Sequence, residues 1–219
     1  MTKPRLLLTL AAAAAVALGI AGAADASTVG AGAHAALSDT CSSTYYEGNA
    51  LLGPQDLPDF GPVGFQLIGY DRTGFQSPAD FLAQFRNASG WIYPPDNGYQ
   101  LDGSGNPIEW RQRLFRGQDI DRYGSVYGSF LAPAGTPYAQ RAIPPTSLES
   151  TPAASCNYHD YVVLKPFTVD AGPIAAWFDQ PGGGLQYQLD AGLVPGAPAQ
   201  LNVLWLLNNG YLAEITPQA

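Results

Sequence analysis

Five of the ten Lys and Arg residues of this chain fall in one stretch, and all five are arginine: Arg111, Arg113, Arg116, Arg122 and Arg141. The planar guanidinium fork makes two-pronged hydrogen bonds to phosphate oxygens, so the cluster points to a phosphorylated ligand. A solvated face with ion pairs to Glu109, Asp119 and Asp121 is the alternative, and Arg111 and Arg113 fit it better. His159 and His34 are the two histidines. Read alone, His159 is more often a structural strand histidine, and on a strand Asp160 points to the opposite face, so the two make no dyad. Gln186 follows Gly182-Gly183-Gly184, and its amide can both donate to and accept from hydroxyls. Without further context it is an ordinary strand glutamine, Phe130 is a core residue, and Tyr123 fits either role.

Other chemistries find little in the chain. No two acids stand out as the pair of a glycosidase. Ser125 and Ser129 lie near glycines but in no Gly-x-Ser-x-Gly elbow. Two cysteines and two histidines speak against zinc, while composition leaves room for an oxygen-ligand calcium site. The glycine run lacks the spacing of a dinucleotide-binding βαβ unit, and no helix is expected after it. With a net charge of −8, the protein is not steered to nucleic acid or anionic lipid.

The elements that must position these residues are short. Lys3 and Arg5 precede an apolar run and then Ala21-Gly22-Ala23 and Ala24-Asp25-Ala26, the pattern of a secretory signal peptide over residues 1–26. Export is therefore expected, with no later membrane span. Residues 27–40 read as a flexible leader. In an oxidising compartment Cys41 and Cys156, the only cysteines, most simply form one disulfide, closing a long loop for about 4–5 kcal/mol in the chain-entropy model. Residues 41–90 read as a small N-terminal arm. Its one clear helix starts at Ser77-Pro78-Ala79-Asp80, with Ser77 as N-cap and Asp80 completing a capping box, and Phe81, Leu82 and Phe85 as its apolar face. Asn87-Ala88-Ser89 is an N-glycosylation sequon, meaningful only in a eukaryotic secretory pathway.

From residue 91 onward turn signals recur every few residues, and the segments between are rich in Tyr, Val, Phe and Leu. Residues 161–169 make the best strand, with Pro166 arguing for an edge or a bulge. A helix is expected over 199–208, ended by Asn209-Gly210, before a strand over 211–215. The fold class this implies is α+β, a mainly antiparallel β core with the helical arm tied on by the disulfide.

Two Gly/Pro-punctuated blocks carry a resemblance. One runs from Asp121-Arg122-Tyr123-Gly124-Ser125 through Phe130-Leu131-Ala132-Pro133 to Arg141-Ala142-Ile143-Pro144-Pro145; the other is Trp177-Phe178-Asp179-Gln180-Pro181-Gly182-Gly183-Gly184-Leu185-Gln186-Tyr187. Together they resemble the signature of the tuberculosis necrotizing toxin family of NAD+ glycohydrolases. Tyr93-Pro94-Pro95-Asp96-Asn97-Gly98-Tyr99 and Tyr158-His159-Asp160-Tyr161 resemble further elements of it, so the likeness spans roughly residues 91–215. It implies a compact, mainly β core over residues 91–219, and NAD+, with NADP+ as a second candidate, as substrate rather than cofactor.

By the same resemblance Gln186 takes the position of the functional glutamine, and Arg122 and Arg141 go to the diphosphate or its flanking ribose. Phe130 goes to the nicotinamide pocket with Tyr123 beside it, Gly183 and Gly184 to the substrate-binding turn, and His159 to positioning substrate or water. No cofactor is implied, and a homodimer and a dedicated inhibitor protein are left open. Where the family usually has glycine this chain has Asp179, which is expected to bring a carboxylate near an anionic substrate. An ADP-ribosyltransferase and a catalytically inactive extracellular binding module are the competing readings; no Gln-x-Glu or Glu-x-Glu motif recruits an acceptor.

Overall fold

The computed structural model describes residues 39–149 and 156–215, so the expected signal peptide and all but the last two residues of the expected leader lie outside the described residues. Among these, no helix is long and apolar enough to cross a membrane. After two one-turn 3-10 helices, Tyr46–Gly48 and Ala50–Leu52, comes α1 (Gly61–Gln66), then α2 (Pro78–Phe85). The sequence signals place α2 correctly. Ser77 Oγ accepts the Asp80 N–H at 3.2 Å and donates to the Asp80 carboxylate at 2.6 Å, and Pro78 fills a first-turn position where a missing N–H costs nothing. Strands β1 (Arg86–Asn87) and β2 (Gly90–Trp91) form a short hairpin with Asn87 exposed near its turn.

The remaining strands are β3 (Trp110–Leu114), β4 (Asp119–Tyr123), β5 (Phe130–Pro133), β6 (Tyr158–Val163), β7 (Phe167–Pro173), β8 (Leu185–Gln188) and β9 (Leu212–Ile215), with α3 (Tyr138–Arg141) and α4 (Val203–Asn208) between them. They make one seven-stranded sheet in the order β3-β7-β8-β5-β4-β6-β9, and every neighbouring pair is antiparallel. The α+β class with a mainly antiparallel core is thus the observed one.

Two expected elements differ in detail. The single strand over 161–169 is two strands that are not neighbours: β6 lies between β4 and β9, and β7 between β3 and β8. Both halves are apolar, so periodicity reads through the break, but Pro166 brings no N–H to the ladder and the chain crosses the sheet there. The last helix starts at Val203 rather than 199, because Asn202 Oδ1 accepts the Trp205 N–H at 2.9 Å and caps it. Its end is as expected. Gly210 at φ +67° lets Tyr211 N–H reach Leu206 O at 2.9 Å and Gly210 N–H reach Leu207 O at 3.1 Å.

Three apolar clusters hold these parts together. In the largest, Leu114, Ile120, Tyr161, Val163 and Val169 of the sheet pack with Val203 and Leu206 of α4. A second joins Val63 and Leu67 from the α1 region to Tyr123, Tyr138 and Tyr158, and includes the bonded pair Cys41–Cys156. The third sets Phe81 and Phe85 of α2 against Phe178, with Trp91 and Trp177 around them. Both clusters entered by residues 41–90 are therefore completed by residues beyond 91.

Candidate active site

A cavity of about 600 Å³ opens where β4 ends and β5 begins. The loop from Tyr93 to Gly98 forms one wall, Arg122, Tyr123, Phe130 and Leu131 another, and Arg141 to Ser147 a third, with Gln186 reaching in from β8.

Gln186 stands opposite Gly172 of β7. The turn that delivers it needs glycine: Gly182 has φ +64°, and a Cβ there would lie 2.6 Å from the carbonyl oxygens of Ile174 and Ala175. Gly184 N–H donates to Gln140 O at 3.0 Å, and Ile174 N–H donates to Gly184 O at 2.8 Å, so the run stitches β8 to α3 and β7. Gly183 and Gly184 themselves do not line the cavity but a separate shallow groove with Trp110 and Leu185. Both amides and the Gly184 carbonyl are occupied in holding the turn, with Gly183 N–H donating to Ile174 O at 2.8 Å. The Gln186 side chain is 8% exposed, and its Nε2 donates to Asn97 O at 3.0 Å. Asp96, Asn97 and Gly98 have φ of +52°, +53° and +78°, a left-handed turn that Asp and Asn tolerate better than most side-chain-bearing residues and that presents the Asn97 carbonyl. One N–H of Gln186 is thereby fixed, leaving its Oε1 and second N–H for a ligand.

Arg122 curls around the strand end: Nε donates to Gly124 O at 3.1 Å and Nη1 to Phe130 O at 2.7 Å. The guanidinium lies so close over Gly128 that a Cβ there would meet Nη2 at 2.3 Å. Burial lowers its pKa below the usual arginine value, and among the described residues no carboxylate forms an ion pair with it. A partly buried cation held by neutral carbonyls favours an incoming anion. Phe130, 38% exposed, is in register with Gln188 and so shares the strand face of Gln186.

Arg141 has a different setting. It is 6% exposed, with Nη1 2.7 Å from Asp121 Oδ1 and Nη2 donating to Asp121 Oδ2 at 2.8 Å. Nε donates to Thr136 O at 2.9 Å, and Nη2 also donates to Gln66 Oε1 at 2.9 Å. Asp121, fully buried, further accepts the Gly135 N–H and the Tyr158 hydroxyl at Oδ2, each at 2.9 Å. Tyr123 is enclosed by this assembly. Its ring meets Tyr138 edge-on at 4.9 Å and the Arg141 guanidinium at 5.1 Å, and burial raises its pKa.

Of the residues singled out by sequence, Gln186, Arg122, Arg141, Tyr123 and Phe130 thus meet at one cavity, and His159 does not. Its Nδ1 lies 2.7 Å from Glu214 Oε1 of β9, and its ring stands parallel to Tyr161. β9 flanks β6 on the side away from β5, and His159, although it stands opposite Arg122 in the sheet register, is not among the residues that line the cavity. Asp179 does not line the cavity either. Its φ is +53°, and its carboxylate accepts from Gln76 Nε2 at 2.5 Å and packs on Gly74, joining residues 41–90 rather than facing the cavity. Arg111 and Arg113 lie exposed on the edge strand β3, as the solvated-face reading has it. Three residues were given no site role from the sequence: Asp121, read there only as a surface ion-pair partner, Asn97 and Gln66. Only Asp121 left a signal, since strand alternation puts it on the face opposite Arg122 and an acid facing inward calls for a cation.

Comparison with known proteins follows the same lines. The family described as tuberculosis necrotizing toxin matches residues 113–215. The conidial surface nicotinamide adenine dinucleotide glycohydrolase of Aspergillus fumigatus is 41% identical over 177 residues, covering 78% of this chain and 71% of that protein. The solved structure of tuberculosis necrotizing toxin in complex with its immunity factor superimposes with a TM-score of 0.46 and 21% identity, covering 77% of this chain and 79% of that one.

Proposed function

The chain belongs to the tuberculosis necrotizing toxin family, and from that premise we infer that it is an NAD+ glycohydrolase, splitting the bond between nicotinamide and ribose to give ADP-ribose and nicotinamide. The observation that carries the reading within the molecule is the convergence, in one cavity, of an arginine with no carboxylate partner among the described residues, an exposed aromatic face and an oriented glutamine amide.

Each group has a task in that reaction. Ordinary glycoside hydrolysis needs an acid to protonate the leaving oxygen. Nicotinamide in NAD+ is already a cationic pyridinium and departs neutral, so orientation and stabilisation of developing charge supply much of the catalysis. In the proposed arrangement Arg122 holds the diphosphate, Arg141 stands beside it, and Phe130 and Tyr123 shape the nicotinamide end. Gln186 Oε1 accepts from a ribose hydroxyl, drawing electron density toward the ring as the C1′–N bond breaks. Water then adds at C1′ and one proton leaves to solvent. NADP+ carries the same scissile bond and is included as a proposed substrate. The chemistry draws on no cofactor, and every group invoked comes from a single chain. Action outside the cell, after export, is part of the proposal; the N-terminal signal pattern, the disulfide and the surface location named for the Aspergillus relative support it.

Incubating the purified protein with NAD+ and following both products tests this. Nicotinamide and ADP-ribose released in equal amounts is the expected result. ADP-ribose attached to an acceptor protein would instead make it a transferase, and absence of turnover a binding module.

The two classes of arginine separate in a second measurement. Arg122→Ala is expected to raise KM for NAD+ about tenfold or more, the consequence of losing a charge-assisted hydrogen bond to phosphate. Arg111→Ala, on an exposed edge strand, is expected to leave KM unchanged. Equal, small effects of both would reduce Arg122 to a tie for the loop between β4 and β5.

A further inference from the structure

Gln66 belongs to α1, far along the chain from the 113–215 segment matched by the family, yet its side chain reaches Arg141, which lines the cavity. It is 4% exposed, an unusual place for an amide unless both ends find partners. Nε2 donates to Pro62 O at 3.2 Å, one helical turn back. That contact orients the group: the nitrogen faces the helix, and the carbonyl oxygen accepts from Arg141 Nη2 at 2.9 Å.

The consequence falls on Arg141. Nε is bonded to Thr136 O, and Nη2 to both Asp121 Oδ2 and Gln66 Oε1, so three of its five N–H groups are occupied. Nη1, 2.7 Å from Asp121 Oδ1, carries two hydrogens and is the nitrogen with capacity to spare. Asp121 neutralises the guanidinium and Thr136 O holds Nε, while Gln66 Oε1 adds the contact on Nη2 that comes from the N-terminal arm. We infer that Gln66 is a positioning residue, through which the N-terminal arm holds Arg141 so that Nη1 is presented to the substrate diphosphate. This rests on the reading above that Arg141 meets the substrate. It gives the arm a part in the reaction, reinforced by the Cys41–Cys156 bond, which fixes the arm two residues before Tyr158, another partner of Asp121.

The test uses the full chain with its disulfide intact. Gln66→Leu and Gln66→Met fill the space without an acceptor, and Met adapts where Leu strains the packing. Each is assayed at a temperature where circular dichroism shows it folded. The expected result is a KM for NAD+ raised about tenfold with kcat changed less. A purely structural glutamine would lower the melting temperature and leave KM alone, and that outcome overturns the inference. Arg141→Lys supplies the second arm, because a positioning residue has nothing to position once the fork is gone. Gln66→Leu is expected to add nothing to the KM of Arg141→Lys, whereas full additivity would place its action elsewhere and also overturn it. Failure of the underlying reading looks different: the native enzyme would turn over NAD+ while Arg141→Lys alone kept the native KM.

Discussion

Gln186→Ala is expected to lower kcat about a hundredfold or more while KM stays near the native value, the scale of losing one preorganised group at a centre where charge develops. The argument is thermodynamic. A contact made only in the transition state reduces kcat and kcat/KM together when removed, whereas uniform binding mainly raises KM. Gln186 suits the first case because its amide is set before substrate arrives: Nε2 is bonded to Asn97 O at 3.0 Å. No reorientation is then needed as the nicotinamide bond lengthens. The fold survives the change. Truncation leaves one partly buried carbonyl without its donor, worth about 1 kcal/mol, which for a protein of this size lowers the melting temperature by about 2–4 °C. Steady-state kinetics and thermal melting on the same preparation check both halves. Near-native kcat, or activity lost only because the protein unfolds, would make Gln186 structural.

Arg141→Ala is expected to have its largest effect on stability. Its partner Asp121 is fully buried, and Arg141 is the only cation in an ion pair with it among the described residues. Removing one member of such a pair leaves an uncompensated buried charge and costs about 3–5 kcal/mol, hence a fall in melting temperature of about 6–20 °C. A change in affinity is therefore not the main effect this variant reports. Arg141→Lys, which keeps a positive charge, is the variant that isolates binding. The stability argument has its own check: Asp121→Ala combined with Arg141→Ala removes both charges and should recover part of the loss. A double variant less stable than Arg141→Ala by the full cost of Asp121→Ala would show that the two charges do not depend on each other.

Local signals carried much of the architecture. The Ser77-Pro78 cap starts α2, the Asn209-Gly210 stop ends α4, and the number of cysteines pairs Cys41 with Cys156. Short-range chemistry decides such features, so they are legible where they stand. Motif resemblance brought Gln186, Arg122, Arg141, Tyr123 and Phe130 together before any geometry was known, and the sheet does set them around one cavity.

What the chain order could not carry was partnership. Gln66 meets Arg141 across 75 residues, Gln186 meets Asn97 across 89, and Gln76 meets Asp179 across 103. Nothing in the types of Gln66 or Asn97 announces these contacts, because an amide or a peptide carbonyl takes its role from what faces it. The partners of His159 and Asp179 were hidden for the same reason. Each is a plausible group at a motif position, but in the fold it meets Glu214 of a neighbouring strand or Gln76 of the arm. Residue type by itself determined which chemistry was available to this protein. Sheet order and the packing of the arm decided which groups face the cavity, since burial leaves each polar group satisfied only by the particular neighbour that the tertiary fold puts against it.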